Sequence, residues 1–289
     1  MPERTETDFQ GYLQRLGDRA DPERGFFGPD SVVWRVSREP VLLIAGMRAL
    51  LMQVAHPKVA QGVADHSRYR EDPLGRGVRT FTAVHAMVFG TRRQALEAAA
   101  RVHGVHDRVR GRVRGELPPG MDRDYRADDP ALALWVAATL VDSSVVAYEL
   151  FVGALTDAEK EQLYRESKTF GALFGVPENC YPATWAAFRQ WMDERCASPG
   201  LTVTATARDI CASLLKSTWL TRLLAPFNYV TAAMLLPDAL ADAYGLRRTL
   251  PVRAGFRLLV AVVRLLVASV PRRWRAVPAA RRRERVLGR

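Results

Sequence analysis

Apolar residues recur along this chain at intervals of three and four, and stretches in which they alternate with polar ones are rare. That is the period of a helix, not of a half-buried strand. No Asn-Gly or Asp-Gly pair signals a tight hairpin. The helix starts are well marked. Asp72-Pro73 and Asp129-Pro130 each set an acid at the cap before a proline in the first turn. Thr91-x-x-Gln94 and Thr156-x-x-Glu159 are capping boxes. Breakers fall at Pro40, Pro57, Gly90, Pro118-Pro119-Gly120, Pro177, Pro182, Pro226, Pro237, Gly245 and Pro251. The pattern predicts helices over 6–17, 29–38, 41–55, 57–66, 73–88, 92–114, 130–153, 157–173, 183–196, 205–225, 227–235, 238–244, 252–270 and 278–287. The longest loop is expected from Glu116 to Asp129.

No repeat of fixed period and no Gly/Ser linker divides the chain, which points to one all-α, multi-helix domain. With 289 residues, 48% of them hydrophobic, there is ample apolar material for a core, so disorder and a disulfide-stapled miniprotein are excluded as classes. The net charge of +11 suggests an anionic partner, but its distribution narrows that suggestion. Residues 246–289 hold thirteen Arg and one acid, Glu284, a local charge of +12. The preceding residues are nearly neutral. The chain therefore reads as a body over residues 1–245 and a basic amphipathic helical tail over 246–289, which packs on the body or on an anionic membrane surface. Within the tail, Arg253, Arg257 and Arg264 share one face of a helix, opposite Leu, Val, Ala and Phe. Arg281-Arg282-Arg283 can touch phosphates, but no helix-turn-helix, zinc module or aromatic RNP-type strand accompanies it, so specific nucleic-acid binding is not expected. Ala131–Leu155 is the most apolar long segment, yet it contains Asp142 and Glu149 and reads as a core helix rather than a bilayer span. Cys180, Cys196 and Cys211 form no CxxC, and the polar N-terminus has no apolar run of a secretory signal. A cytoplasmic protein, with a peripheral membrane contact through the tail, is the expectation.

Nucleophile elbows, P-loops, dinucleotide fingerprints and HExxH are absent from the sequence. Five histidines remain, His56, His66, His85, His103 and His106. His103, His106 and Arg110 stand at i, i+3 and i+7 and would share a face if the predicted helix runs through them. An imidazole can ligate haem iron, and a guanidinium one turn away can pair with a propionate. Arg76, Arg79 and Thr80 form a second cluster at i, i+3 and i+4. Two cations and a hydroxyl there can polarise bound oxygen or hold a carboxylate. The plain alternatives stay open from spacing alone. A single helical His is more often a satisfied or exposed residue than a ligand, and Arg clusters in an Arg-rich chain are mostly solvated or ion-paired.

A set of motifs carries a family resemblance. It comprises Gly28-Pro29-Asp30-Ser31 leading into Trp34-Arg35-Val36-Ser37-Arg38-Glu39-Pro40, then Gln53-Val54-Ala55-His56-Pro57, Gly62-Val63-x-x-His66-Ser67, Asp72-Pro73-x-Gly75-Arg76-x-x-Arg79-Thr80, Phe89-Gly90-Thr91, His106-x-x-Val109-Arg110-Gly111, Asp128-Asp129-Pro130, and Trp135-Val136-x-Ala138-Thr139-Leu140-Val141-Asp142-Ser143. In this order they resemble the MpaB-type oxygenases, a family that includes the latex-clearing rubber oxygenases and a fungal ER-bound oxygenase of mycophenolic acid synthesis. The resemblance covers about residues 26–245. It implies an all-α fold around a haem pocket holding a non-covalent b-type haem, and the absence of CxxCH agrees with non-covalent attachment. It implies His106 as the proximal metal ligand, Arg110 as its companion at the haem edge, and Arg76, Arg79 and Thr80 as the catalytic distal set. His103 is the natural competitor of His106 for iron. His66 is left between a structural and a cofactor-contacting role. His56 is assigned a structural role, its ring capping the helix before it, and His85 one of packing or exposure.

Two departures from the family pattern stand out. The distal set of the rubber oxygenases reads Arg-x-x-Lys-Thr, where this chain has Arg79 in place of the Lys. A guanidinium does not lose its proton as an amine can, so iron coordination through that position is put in doubt. Members also resemble one another in a His where this chain has Ala137. On the same helix, Asp142 and Glu149 need partners if buried, and Arg38, Arg48 or a distal Arg are the candidates.

Three functions follow as expectations. The first is a haem-dependent oxygenase taking O2 and an apolar, isoprenoid or lipid-like substrate. The second is a non-catalytic haem-binding or sensing protein. The third is a helical membrane-surface protein without cofactor.

Overall fold

The computed structural model describes residues 6–216 and 219–288. The first helices are α1 (Glu6–Gly17), α2 (Val32–Ser37), α3 (Leu42–Val54), α4 (Pro57–His66), α5 (Pro73–Phe89) and α6 (Arg92–His106). A short antiparallel hairpin follows, β1 (Arg110–Arg112) and β2 (Asp124–Arg126). Then come α7 (Pro130–Phe151), α8 (Asp157–Leu173), a 3-10 turn at Glu178–Cys180, α9 (Trp185–Ala197) and α10 (Ala205–Lys216). The chain ends with α11 (Trp219–Leu223), α12 (Ala225–Leu235), α13 (Asp238–Ala243), α14 (Leu250–Ser269), α15 (Arg272–Arg275) and α16 (Pro278–Val286). The all-α class read from the sequence is what the structure has.

Caps explain where the helices begin. Asp72, Thr91, Asp129 and Thr156 each accept a hydrogen bond from a backbone N–H of the turn they open. Both capping boxes close reciprocally. His56 corrects one expectation. Its Nδ1 accepts from the Lys58 N–H at 3.3 Å, so it caps the helix that follows, α4, and not the carbonyls of α3.

The apolar helix α7 is the axis of the molecule. It is long and apolar enough to cross a membrane by length and composition, but most of it is buried inside the protein. It lies antiparallel to α3, because the Trp135 indole N–H donates to the Met52 carbonyl while Arg48 pairs with Asp142 and Val41 clusters with Phe151. On one side of this pair a core gathers around Trp135, Tyr164, Phe188 and Met52. On the other side a second core gathers around Trp34, Phe9, Phe89 and Phe170.

The basic C-terminal elements pack on the body. Val260, Val263 and Val267 of α14 join Val41, Ala147 and Phe151, and the Arg264 Nε donates to the Leu150 carbonyl at 2.7 Å. Beyond α14, Arg275 pairs with the buried Glu39 at 2.8 Å. Ala276, Val277 and Ala280 are buried in the Trp34 core.

Two predicted helices differ, and so does the loop expected from Glu116 to Asp129, whose residues 124–126 are β2. The helix expected over 92–114 stops at His106, and residues 110–112 are a strand. Gly111 is the reason the chain can pair there, since a Cβ on it would sit 2.7 Å from the Tyr125 hydroxyl across the ladder. Arg110 therefore does not continue the helical face of His103 and His106. The helix expected over 205–225 corresponds to α10 and α11, and its residues 217–218 lie outside the described residues.

Candidate cofactor site

The site grows from one hairpin. Gly90 and the Thr91 capping box turn the chain sharply between α5 and α6, which pack antiparallel. A Cβ on Gly90 would lie 2.3 Å from the Ala86 carbonyl, so the turn needs glycine. The closed end, with Met87, Val88, Phe89, Ala98 and Ala99, is buried in the Trp34 core. An antiparallel hairpin then sets the first turns of α5 level with the last turns of α6. The Arg76/Arg79/Thr80 cluster and His103 and His106 both lie at the helix ends away from the Gly90 turn. Gly77 and Gly104 lie at this end too, both half-buried, and a Cβ on either would meet nothing within 4 Å. Val78 and Val105 expose apolar surface there.

The histidines separate by environment. His106 is half-buried, and burial pulls its pKa below the ordinary value. Neighbouring His103 pushes the same way and Asp128 opposes it. The ring is thus a neutral imidazole near pH 7, and among the described residues it has no hydrogen-bond partner. His103 is stacked on Phe9, ring centroids 3.6 Å apart. His85 is half-buried between Phe81 and Phe89, at 6.0 and 5.4 Å, and burial lowers its pKa. His66 is exposed, with Nε2 3.3 Å from the Arg110 carbonyl oxygen. It ties the end of α4 to β1, the strand that follows His106.

That strand is held by a polar network. Asp65 accepts from the Tyr125 hydroxyl at 2.7 Å, from Arg114 at 2.6 Å and from Gln61 at 2.9 Å. Asp128 is paired with Arg126 at 2.8 Å, and this pairing leads the lowering of its pKa. Sequence reasoning named neither Asp65 nor Tyr125, and it quoted Asp128 only within a motif. The signal for Asp128 was its place just before the α7 cap.

The distal set is less uniform than its spacing suggests. Arg76 is half-buried, burial and the nearby Arg79 lower its pKa, and it makes no ion pair among the described residues. Arg79 is exposed and paired with Asp72 at 2.9 Å. The exposed Thr80 hydroxyl donates back to the Arg76 carbonyl at 3.0 Å. Arg110 is exposed on β1.

These features fit a non-covalent haem. A neutral imidazole with a ring nitrogen not engaged by the protein is a form that can ligate iron. Open space beside Gly77 and Gly104 and the apolar Val78 and Val105 suit a macrocycle. The partly desolvated Arg76 suits a carboxylate. Among the described residues no three His, Cys, Asp or Glu side chains converge on a metal, so His106 would share iron with a ligand set from outside the chain.

A separate cavity of about 250 Å³ opens between α3, α7, α9 and α13 and contains no histidine. Asp142 lies at its wall, paired with Arg48 at 2.6 Å and with Arg189. The buried Arg48 also donates to the Leu235 carbonyl and the Ser143 hydroxyl, each at 2.7 Å. Of the partners considered for Asp142, Arg48 is the one found. Glu149 pairs instead with Lys160 at 2.9 Å.

Comparison with known proteins agrees with the motif reading. Two mycobacterial proteins, uncharacterized protein Mb2261 of Mycobacterium bovis and uncharacterized protein Rv2237 of Mycobacterium tuberculosis, are each 29% identical to this chain over 233 residues. The alignments cover 78% of this chain and 88% of each relative. No solved structure matches the chain significantly. The family model described as "ER-bound oxygenase mpaB/B'/Rubber oxygenase, catalytic domain" matches residues 34–265, from α2 through most of α14, and the chain therefore belongs to this oxygenase family.

Proposed function

We propose that this protein is a haem-dependent oxygenase for an apolar, isoprenoid or lipid-like substrate, with a non-covalent b-type haem held by His106. The observation that carries the reading is His106 itself, a desolvated neutral imidazole with no hydrogen-bond partner among the described residues, at the open end of the α5–α6 hairpin. Membership of an oxygenase family supports the reaction class. When bound, haem supplies the electron chemistry that lets dioxygen react with a closed-shell substrate. The chain's own residues supply the rest. The desolvated Arg76 offers a fixed positive charge to a propionate or to negative charge that develops during reaction. Thr80 can turn its hydroxyl from the Arg76 carbonyl toward a bound group. His66 and the Asp65 network fix the strand after His106 and so orient the ligand helix. Arg110 and His103 flank the ligand, and the stack on Phe9 favours His106 over His103 as the iron ligand. The three free thiols support a cytoplasmic placement.

An absorbance spectrum with a pyridine haemochrome assay tests the cofactor. The purified protein is expected to carry a Soret band, or to gain one with haemin. Protein that stays colourless after haemin titration overturns the proposal. A second reading, haem binding without turnover, is favoured by Arg79, whose exposed guanidinium is engaged by Asp72. Oxygen uptake with polyprenes or unsaturated lipids separates the two. Stable O2 binding without consumption supports the second.

A further inference from the structure

The large apolar side chains left exposed are concentrated on the C-terminal helices. α14 turns Val252, Val260, Val263 and Val267 toward the body. Its other side exposes Leu258 (65%), Val262, Leu265 (67%) and Leu266 to solvent. α12 runs beside it. At the start of α14 the Arg248 guanidinium donates to the Ala233 and Leu236 carbonyls at 2.6 and 2.7 Å, and further along a Cβ on Gly255 would be 3.9 Å from Val230. Moving back along α12 toward α11 therefore follows α14 toward its C-terminus. Phe227, Leu224, Leu223 and Trp219 (76%) are exposed on that adjoining stretch. Eight large apolar residues thus lie on two neighbouring strips, more than a solitary surface leucine would explain.

The charge around them has one sign. No Asp or Glu occurs between residues 210 and 237, or between 243 and 283. Arg253 and Arg257 are exposed along one edge of the α14 row. Arg222 is exposed next to Leu223, and Arg272 and Arg273 are exposed beyond the helix end beside the exposed Trp274. The tail's one acid, Glu284, is turned inward and accepts from the Trp34 indole. Asp238 pairs with Arg248 and also acts on Arg253, so it is the positive charge of Arg257, Arg272 and Arg273 that no acid of the tail cancels on this face.

We propose that this face, formed by α14 with α11 and the start of α12, docks the protein on an anionic lipid bilayer. Leu258, Val262, Leu265 and Trp219 enter the interfacial region, and Arg253, Arg257, Arg272 and Arg273 pair with lipid phosphates. Charge complementarity selects this occupant over a second copy of the chain. A twofold pairing of the face would oppose two arginine rows with no carboxylate between them, whereas an anionic bilayer offers apolar depth and negative charge together. The inference is independent of whether the His106 site holds haem.

The test is flotation of the full-length chain with phosphatidylglycerol–phosphatidylcholine vesicles and with phosphatidylcholine vesicles alone. Point variants serve better than a truncation, because residues 276–280 belong to the core. The wild-type chain is expected to float with the anionic vesicles, less so in high salt and less so with the neutral ones. The double variant Leu258→Glu/Leu265→Glu alters exposed positions, so its thermal unfolding should match the wild type while its partitioning falls more than about tenfold. Arg253→Gln and Arg257→Gln are each expected to weaken anionic-vesicle binding about fivefold, with little effect on neutral vesicles. Equal flotation of the wild type and the double glutamate variant overturns the proposal. So does absence of flotation, including the case where sedimentation velocity finds a dimer that the glutamate variant dissociates, which would assign the face to a second copy.

Discussion

Five histidines share one residue type, and their surroundings give them five different jobs. His106 and His103 are three residues apart, yet one presents a desolvated ring without a hydrogen-bond partner and the other is stacked on Phe9. His106→Ala is accordingly expected to abolish or severely weaken the Soret band. His103→Ala should keep the band and lower stability by about 1 kcal/mol through loss of the stack. Haem retained by His106→Ala and lost by His103→Ala would reverse the assignment. His56 makes a different prediction, one about pH. Burial lowers its pKa from 6.5 to about 4. A folded pKa below the unfolded one means stability that is present above pH 6.5 and is lost as pH falls toward about 4. The loss from this residue between neutral pH and about pH 5 amounts to about 2 kcal/mol. His106 and His85 shift in the same direction and add to it. His56→Asn keeps a capping acceptor for the Lys58 N–H and removes the titration, so urea unfolding at the two pH values should give a smaller difference than the wild type does. The spacing of the histidines was legible in the sequence. Their environments were not, because Phe9 and Asp128 reach the site from elements distant along the chain.

At the scale of elements, the caps and breakers carried most of the information. Asp72, Thr91, Asp129 and Thr156 opened their helices as the sequence reading expected. The end of α6 was the costly miss. Nothing local stops a helix at His106, since the strand that follows is fixed by pairing with Asp124–Arg126, more than ten residues further on. The face shared by His106 and Arg110 was lost with it, and the two residues are now linked through the turn after α6. Gly111→Ala is expected to push the Tyr125 hydroxyl off Asp65 and destabilise the protein by about 1–3 kcal/mol. A matching loss of haem affinity in His66→Ala would support the role of this hairpin in orienting His106. The sequence called for a cation beside Asp142, because a carboxylate on a buried apolar helix demands one, but it left Arg38, Arg48 and a distal Arg open and so did not single out α3 as the partner of α7. Asp142→Ala leaves Arg48, buried and still charged, without its partner, and is expected to cost about 3–5 kcal/mol in denaturant unfolding. Arg189 is more than one-third exposed, so Arg189→Gln should cost about 1 kcal/mol or less. Equal losses for the two variants would count against the buried pair as the dominant interaction.

For the whole molecule, the separation of a neutral body from a basic tail describes charge better than it describes packing. The tail contributes to both the core and the surface. Arg264 and Arg275 reach back to the Leu150 carbonyl and to Glu39, and Val277 donates its N–H to the Arg38 carbonyl at 2.8 Å. Glu284 joins these elements most directly. It accepts from the Trp34 indole at 3.0 Å and pairs with Arg38 at 3.1 Å, with both charged side chains largely buried. Glu284→Gln keeps an acceptor for the indole and removes the charge that Arg38 faces. Glu284→Ala removes both and leaves a buried donor and a buried cation unsatisfied. The expected losses are about 1–2 kcal/mol for the first and about 2–4 kcal/mol for the second, read from thermal or urea unfolding. A chain ending after Pro271 goes further, because it uncovers the Trp34 core by removing Ala276, Val277 and Ala280. It is expected to unfold less cooperatively and to bind more of a hydrophobic dye than the full chain. Since that core also seats the closed end of the α5–α6 hairpin, the same truncation should weaken any haem binding at its open end. A truncated chain that unfolds like the full-length protein would show that the tail only decorates the body. Residues beyond α14 would then owe their arrangement to charge alone.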